Sequence, residues 1–196
     1  MTALDLRHNT PHWRRDLLVT LAALAVLLAW DLSGLDLAAA RLFGNAQGFA
    51  WSDHFVTSHL LHDGGRLMAL LLLAGMVVRA VWPGPAAGPG RRQRWAWVGV
   101  TLLAVLLVPA IKRISSTSCP WSLAEFGGTA RYVSHWQWGV PDGASGHCFP
   151  SGHAVAAFAF FSLYFMWRPH RRSRAQGWLA AVLVAGALFG TAQLAR

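Results

Sequence analysis

The chain has 196 residues, of which 55% are apolar and only 13% charged, and its formal net charge is +9. Charged residues make up roughly a quarter of an average soluble domain, so this composition excludes an ordinary water-facing surface. At this length residues 1–196 read as one domain, and that domain as all-α and membrane-embedded.

Arg7, Arg14 and Arg15 precede the first apolar run, Leu17–Trp30. The small residues Ala38–Ala40 lie well beyond that run and follow Asp36, so the run is expected to stay as an uncleaved first helix rather than serve as a signal peptide. Leu35, Leu37, Ala38, Leu42 and Phe43 then recur at near-helical spacing around Asp36 and Arg41, which predicts a short amphipathic helix on the membrane surface. His59 and His62, the latter in the stretch His62–Arg66, are read as outward-facing structural or surface residues, with contact to substrate or lipid headgroups as the alternative. Leu67–Trp82 is the second run, Pro83–Gly90 a tight connection, and Trp95–Ile111 the third run. Ala154–Trp167 and Trp178–Ala195 are the fourth and fifth. The first and fourth are short of the ~20 residues that span a bilayer and must borrow flanking residues. The expected architecture is a polytopic helix bundle with five spans.

Arginine is concentrated in alternate segments: the N-terminus, then Arg79, Arg91, Arg92 and Arg94, then Arg168, Arg171, Arg172 and Arg174, while the basic residues of the other segments, such as Arg41, Arg66 and Arg131, are balanced by acidic ones. The arginines of the alternate segments, against Asp5 and Asp16, account for the whole net charge of +9. Cytoplasmic loops carry such an excess, so the N-terminus is expected inside and segments 31–66 and 112–153 outside, in an inner (plasma) membrane. Trp13, Trp30, Trp82, Trp95, Trp167 and Trp178 mark the ends of runs, as interfacial anchors do. Basic residues placed beside apolar runs suit anionic headgroups, and no nucleic acid partner is expected.

Lys112–His153 differs from the rest of the chain. It holds the only lysine, both cysteines and three histidines. A long non-repetitive loop of this kind is usually functional. Cys119 and Cys148 fall on its one side of the membrane, and a bridge between them would close a ring of roughly 30 residues, worth roughly 3 kcal/mol on the chain-entropy model. Within Phe149–His153, Pro-Ser-Gly ahead of a run predicts a helix start whose free N–H groups bind an anion. Ser151 adds a hydroxyl, Gly152 allows close approach, and His153 is placed to protonate a leaving oxygen. Lys112 and Arg113 end the third run and Arg196 ends the fifth, on the same face. Cations and N–H donors together are what a phosphoryl group requires.

These residues resemble the type 2 phosphatidic acid phosphatases, whose motifs are Lys-x6-Arg-Pro, Pro-Ser-Gly-His and Ser-Arg-x5-His-x3-Asp. Pro150–His153 matches the second motif in full. Lys112 and Pro120 match the first, with Cys119 at its arginine. Cys119–Pro120–Trp121 followed by Phe126–Gly127–Gly128 resembles a Cys-Pro-Trp branch of the family. Ala195 and Arg196 stand at the start of the third motif, whose histidine and aspartate lie past the last residue, as would a sixth helix. The resemblance implies a lipid phosphate or pyrophosphate phosphatase acting at the periplasmic or outer face through a phosphohistidine, with no cofactor and no metal. Lys112, Arg113, Arg196, Ser151 and Gly152 would bind phosphate, and His153 would be the catalytic acid. Its expected partners are membrane lipids and a phosphorylated lipid substrate. The chain is expected to be a C-terminally truncated form, inactive by itself. The rival function is a non-catalytic lipid-phosphate-binding or transport protein of the same fold.

Overall fold

A computed structural model of the protein describes residues 13–82, 88–137 and 139–195. Arg7, most of the Pro83–Gly90 connection and Arg196 lie outside the described residues. The described chain is mostly helical. Helix α1 (Trp13–Leu32) and the short α2 (Leu35–Ala40) lead into a two-residue antiparallel hairpin, β1 (Gly44–Asn45) and β2 (Gly48–Phe49), with Gly44 opposite Phe49. A π-helical stretch, Val56–Asp63, runs directly into α3 (Gly64–Val81), and α4 (Arg91–Ile114) follows. The long loop carries two 3-10 turns, and α5 (Gly152–Phe158), α6 (Phe161–Trp167) and α7 (Arg172–Leu194) complete the chain.

Among the described residues, three helical stretches are long and apolar enough to cross a membrane: Val56–Val81, Arg91–Ile114 and Arg172–Leu194. They contain the third apolar run and all but the last residue of the second and of the fifth. The first run lies in α1, which has Arg14, Arg15 and Asp16 at one end and Asp31 at the other. The fourth run forms a shorter apolar stretch, Gly152–Trp167, and it is two helices rather than one. At the joint, the Phe160 N–H donates to Ala157 and the Leu163 N–H to Phe160, each at 3.0 Å. These three-residue bonds tighten the chain and turn Phe160 inward, where it is 2% exposed.

The bundle core lies between α3, α4, α6 and α7, built from Met76, Ala80, Val98, Phe160, Leu163, Met166 and Val182. Lipid tails are as apolar as these side chains, so close packing and interhelical hydrogen bonds hold such helices together, rather than escape from water. Both devices are present. A Cβ at Gly186 of α7 would overlap the Phe158 ring of α5, so glycine there permits the close approach. Thr101 of α4 and Ser162 of α6, both buried, share a hydrogen bond of 2.7 Å, and the Thr101 hydroxyl also lies 2.8 Å from the Trp97 carbonyl oxygen.

Helix α1 is held differently. Its apolar flank, including Leu18, Val19 and Val26, is exposed, and its fastenings are polar and at its ends. Asp16 accepts two hydrogen bonds of 2.7 Å from Arg168, after α6, and Asp31 pairs with His135 of the long loop.

A second cluster caps the opposite end of the bundle from the α3–α4 connection. Ala40, Phe49, Leu123, Phe126 and Ala130 form it, with the Phe49 and Phe126 rings 5.0 Å apart. Arg41 grips Glu125 through two hydrogen bonds of 2.5 and 3.1 Å.

Candidate functional site

Lys112 stands in the last turn of α4 and Gly152 in the first turn of α5. The loop between them folds back so that its two ends meet. His147 N–H donates to the Ser115 carbonyl and Cys148 N–H to that of Thr117, each at 2.9 Å. One residue on, Cys119 and Cys148 are joined by a disulfide, with their Cα atoms 5.0 Å apart. Asp142, 4% exposed, pegs the interior of the loop. It accepts from the Ser118 N–H at 2.5 Å, the Ser118 hydroxyl at 2.9 Å and the Ala144 N–H at 3.1 Å. Burial pushes the Asp142 carboxyl up, but these donors outweigh it and hold it below its ordinary value.

The restrained loop delivers Phe149–Pro150–Ser151 to the head of α5. Ser151 is the N-cap residue, its hydroxyl oxygen accepting from Ala154 N–H at 3.4 Å. The Lys112 Nζ lies 3.9 Å from the point a Cβ on Gly152 would occupy, so the ammonium reaches the start of α5. His153 follows, and its Nε2 contacts Nδ1 of His62, at the end of the π-helical stretch, with ring centroids 4.3 Å apart. His62 Nε2 is 4.0 Å from Asp63, which also pairs with His59 at 3.2 Å. An ammonium, a capping hydroxyl and two touching imidazoles thus share one end of the bundle. Such a set can neutralise an anion and move a proton beside it.

Arg113, beside Lys112, is exposed, and Arg196 lies outside the described residues. The last turn of α7, at Gln193 and Leu194, lines a cavity of about 160 Å³ together with Ser151, Phe149, Asp36 and His135. Behind that cavity sits a charged knot. His135 Nδ1 is 2.5 Å from an Asp31 oxygen and 3.1 Å from an Asp36 oxygen. Trp30 Nε1 donates to Asp36 at 2.5 Å, and the Ser134 hydroxyl donates to Asp31. Burial pushes the His135 pKa down, but its hydrogen bonds to Asp36 and Asp31 and their charges outweigh it and hold the value above the ordinary one. One ligand atom from each of the three residues lies within 4.8 Å of the others, a donor set able to hold a metal ion. Here the imidazole itself joins the two carboxylates.

A family model described as the PAP2 superfamily matches residues 94–195, just over half of the chain. The chain belongs to the PAP2 superfamily. No curated protein and no solved structure matches it. Phosphatase activity is general among PAP2 proteins. The matched PAP2 segment contains Lys112, both disulfide cysteines and Ser151–His153, whereas His62 lies ahead of it. From sequence, His62 has a structural or surface role, with contact to substrate or headgroups as the alternative; its approach to His153 bridges 91 positions, which no spacing signals. The Asp31–Asp36–His135 knot was missed as well, because no spacing between its members signals their meeting.

Proposed function

We propose that this PAP2 protein is a lipid phosphate phosphatase whose site is the Lys112–Ser151–His153 end of the bundle. One observation carries the reading: the Lys112 ammonium and the His153 imidazole converge on the capped start of α5, inside the segment that matches the family. Lys112 neutralises the phosphoryl oxygens, with Arg113 and Arg196 as further cations, and Ser151 and Gly152 position the group. His153 donates its proton to the leaving oxygen as the phosphorus–oxygen bond breaks, so the lipid departs as an alcohol or, from a pyrophosphate, as a monophosphate. The phosphoryl group passes to a histidine and then to water. In the motif order of the resembled family that histidine follows Arg196. The Cys119–Pro120–Trp121 and Phe126–Gly127–Gly128 stretches support the Cys-Pro-Trp branch.

The arginine distribution supports a cytoplasmic N-terminus and a site at the periplasmic face. On this reading α1 and Gly152–Trp167 are spans beside the three longer helical stretches.

The test uses the protein bearing a complete third motif. His153→Ala should lower turnover of an alkyl phosphate by ~10²–10⁴-fold, and by much less with p-nitrophenyl phosphate, whose leaving group departs without a proton. Lys112→Ala should impair both substrates alike, because it acts on the phosphoryl oxygens. Equal losses on both substrates for His153→Ala would refute the acid role. Lipid phosphate binding without turnover in the unmutated protein would make it a binding or transport protein.

A further inference from the structure

The opposite end of the bundle contains a larger cavity, of about 880 Å³, walled by α3, α4, α6 and α7. This falls in the ~300–1,000 Å³ range of small-molecule sites. Its walls are apolar, among them Leu71, Met76, Val98 and Leu163, yet Arg79, Arg94, Arg171 and Arg174 also line it, and among the described residues no carboxylate does. Arg94 donates to the Arg79 carbonyl oxygen at 3.0 Å, and Arg174 lies 4.8 Å from the centroid of the Trp167 ring. Those contacts orient the Arg94 and Arg174 guanidinium groups without neutralising them.

Two lining residues, Gly75 of α3 and Gly177 of α7, sit inside helices, where glycine is among the poorest choices. A Cβ added at either would meet nothing within 4 Å. Neither glycine is needed for close helix approach; each leaves room in the cavity.

We propose that this cavity binds an anionic phospholipid, its phosphate among the four arginines and one acyl chain along the apolar wall. Charge complementarity selects this occupant. A purely apolar helix would leave four arginines unpaired against it, whereas a phosphate diester satisfies guanidinium groups by charge and hydrogen bonding together. Basic pockets between membrane helices recognise headgroups in this way. The site shares no residue with the Lys112–His153 site and does not depend on the phosphatase reading.

Native mass spectrometry of the detergent-solubilised full chain, with added dioleoylphosphatidylglycerol or dioleoylphosphatidylcholine, tests the proposal. The phosphatidylglycerol adduct should form at a lipid concentration ~10-fold or more below that needed for phosphatidylcholine. Arg171→Gln with Arg174→Gln should remove that preference. Gly75→Leu with Gly177→Leu, which fills the cavity with better helix formers, should remove the adduct while the melting temperature holds or rises. Equal binding of the two lipids, or an undiminished adduct in the glycine double variant, would overturn the proposal. So would loss of the adduct to millimolar inorganic phosphate, since the site would then take a free anion.

Discussion

The bundle and the loop cap are stabilised in different proportions by packing and by polar or covalent ties. Between α3, α4, α6 and α7 the contacts are apolar, and the Thr101–Ser162 pair is buried among them. From Ser115 to Ser151 a small apolar cluster at Leu123, Phe126 and Ala130 is joined by a disulfide, a buried carboxylate and backbone bonds between segments far apart in sequence. The difference follows from what each region must do. Helices in hydrocarbon satisfy their own backbone groups and need only fit one another. A glycine-rich loop has no such internal order, and its ends must be tied if Ser151 and Lys112 are to stay within reach of each other.

The sharpest way to break this comparison is to cut the covalent tie. Cys119→Ser with Cys148→Ser should destabilise the cap by about 2–4 kcal/mol, within the usual range for a bridge. Limited proteolysis should then cleave within 115–151 much faster, while the helical melting temperature in detergent barely moves. A fall in melting temperature matching the loss of protection would show that cap and bundle unfold as one unit.

Thr101→Val probes the bundle side and should have a smaller effect. It keeps the shape of the side chain and deletes one interhelical hydrogen bond, worth about 0.6–2 kcal/mol in membrane proteins. Thermal melting should report the loss, and proteolysis of the loop should not change. Faster cleavage of the loop in this variant would mean that packing at α4–α6 governs the cap.

The smallest effect concerns pH and belongs to the seam where the cap meets α1 and α2. His135 has its pKa raised by Asp36 and Asp31, so its contribution to stability is fully present below the unfolded value of about 6.5. That contribution is lost as pH rises through the higher folded value. Hydrogen exchange of residues 131–137, corrected for intrinsic rates, should show protection falling from pH 6 to 9, and His135→Gln should flatten the profile. Protection that rises with pH would contradict the sign.

How much of this was legible in the sequence divides along the same line. Apolar runs located the helices because hydrophobicity is a local signal: Trp95–Ile111 lies within α4, and Leu67–Trp82 overlaps all of α3 but its first three residues. The amphipathic segment after the first run contains α2. The break at Ala159–Phe160 was not legible, since Phe158, Phe160 and Phe161 read as one uninterrupted apolar run. Nor was the interior of the cap, where Asp142 serves Ser118 from 24 positions away and nothing nearby in sequence marks the pair. At the candidate site, the Pro-Ser-Gly-His stretch and Lys112 carry recognisable chemistry. His62 does not, because its significance lies wholly in what it touches.

The broken fourth stretch has a consequence for depth. Gly152–Trp167 is roughly 24 Å long at the helical rise, against a hydrocarbon core of about 30 Å. If this stretch spans the membrane as proposed, with Trp167 anchored at one interface, its other end would stop several ångströms beneath the opposite one. Ser151 and His153 would then stand in a recess below the headgroup plane rather than on it. A phosphorylated lipid would enter sideways from its own leaflet, sinking a little instead of being lifted out. Water for hydrolysis would come down the polar loop from above, so substrate and water would arrive by different routes.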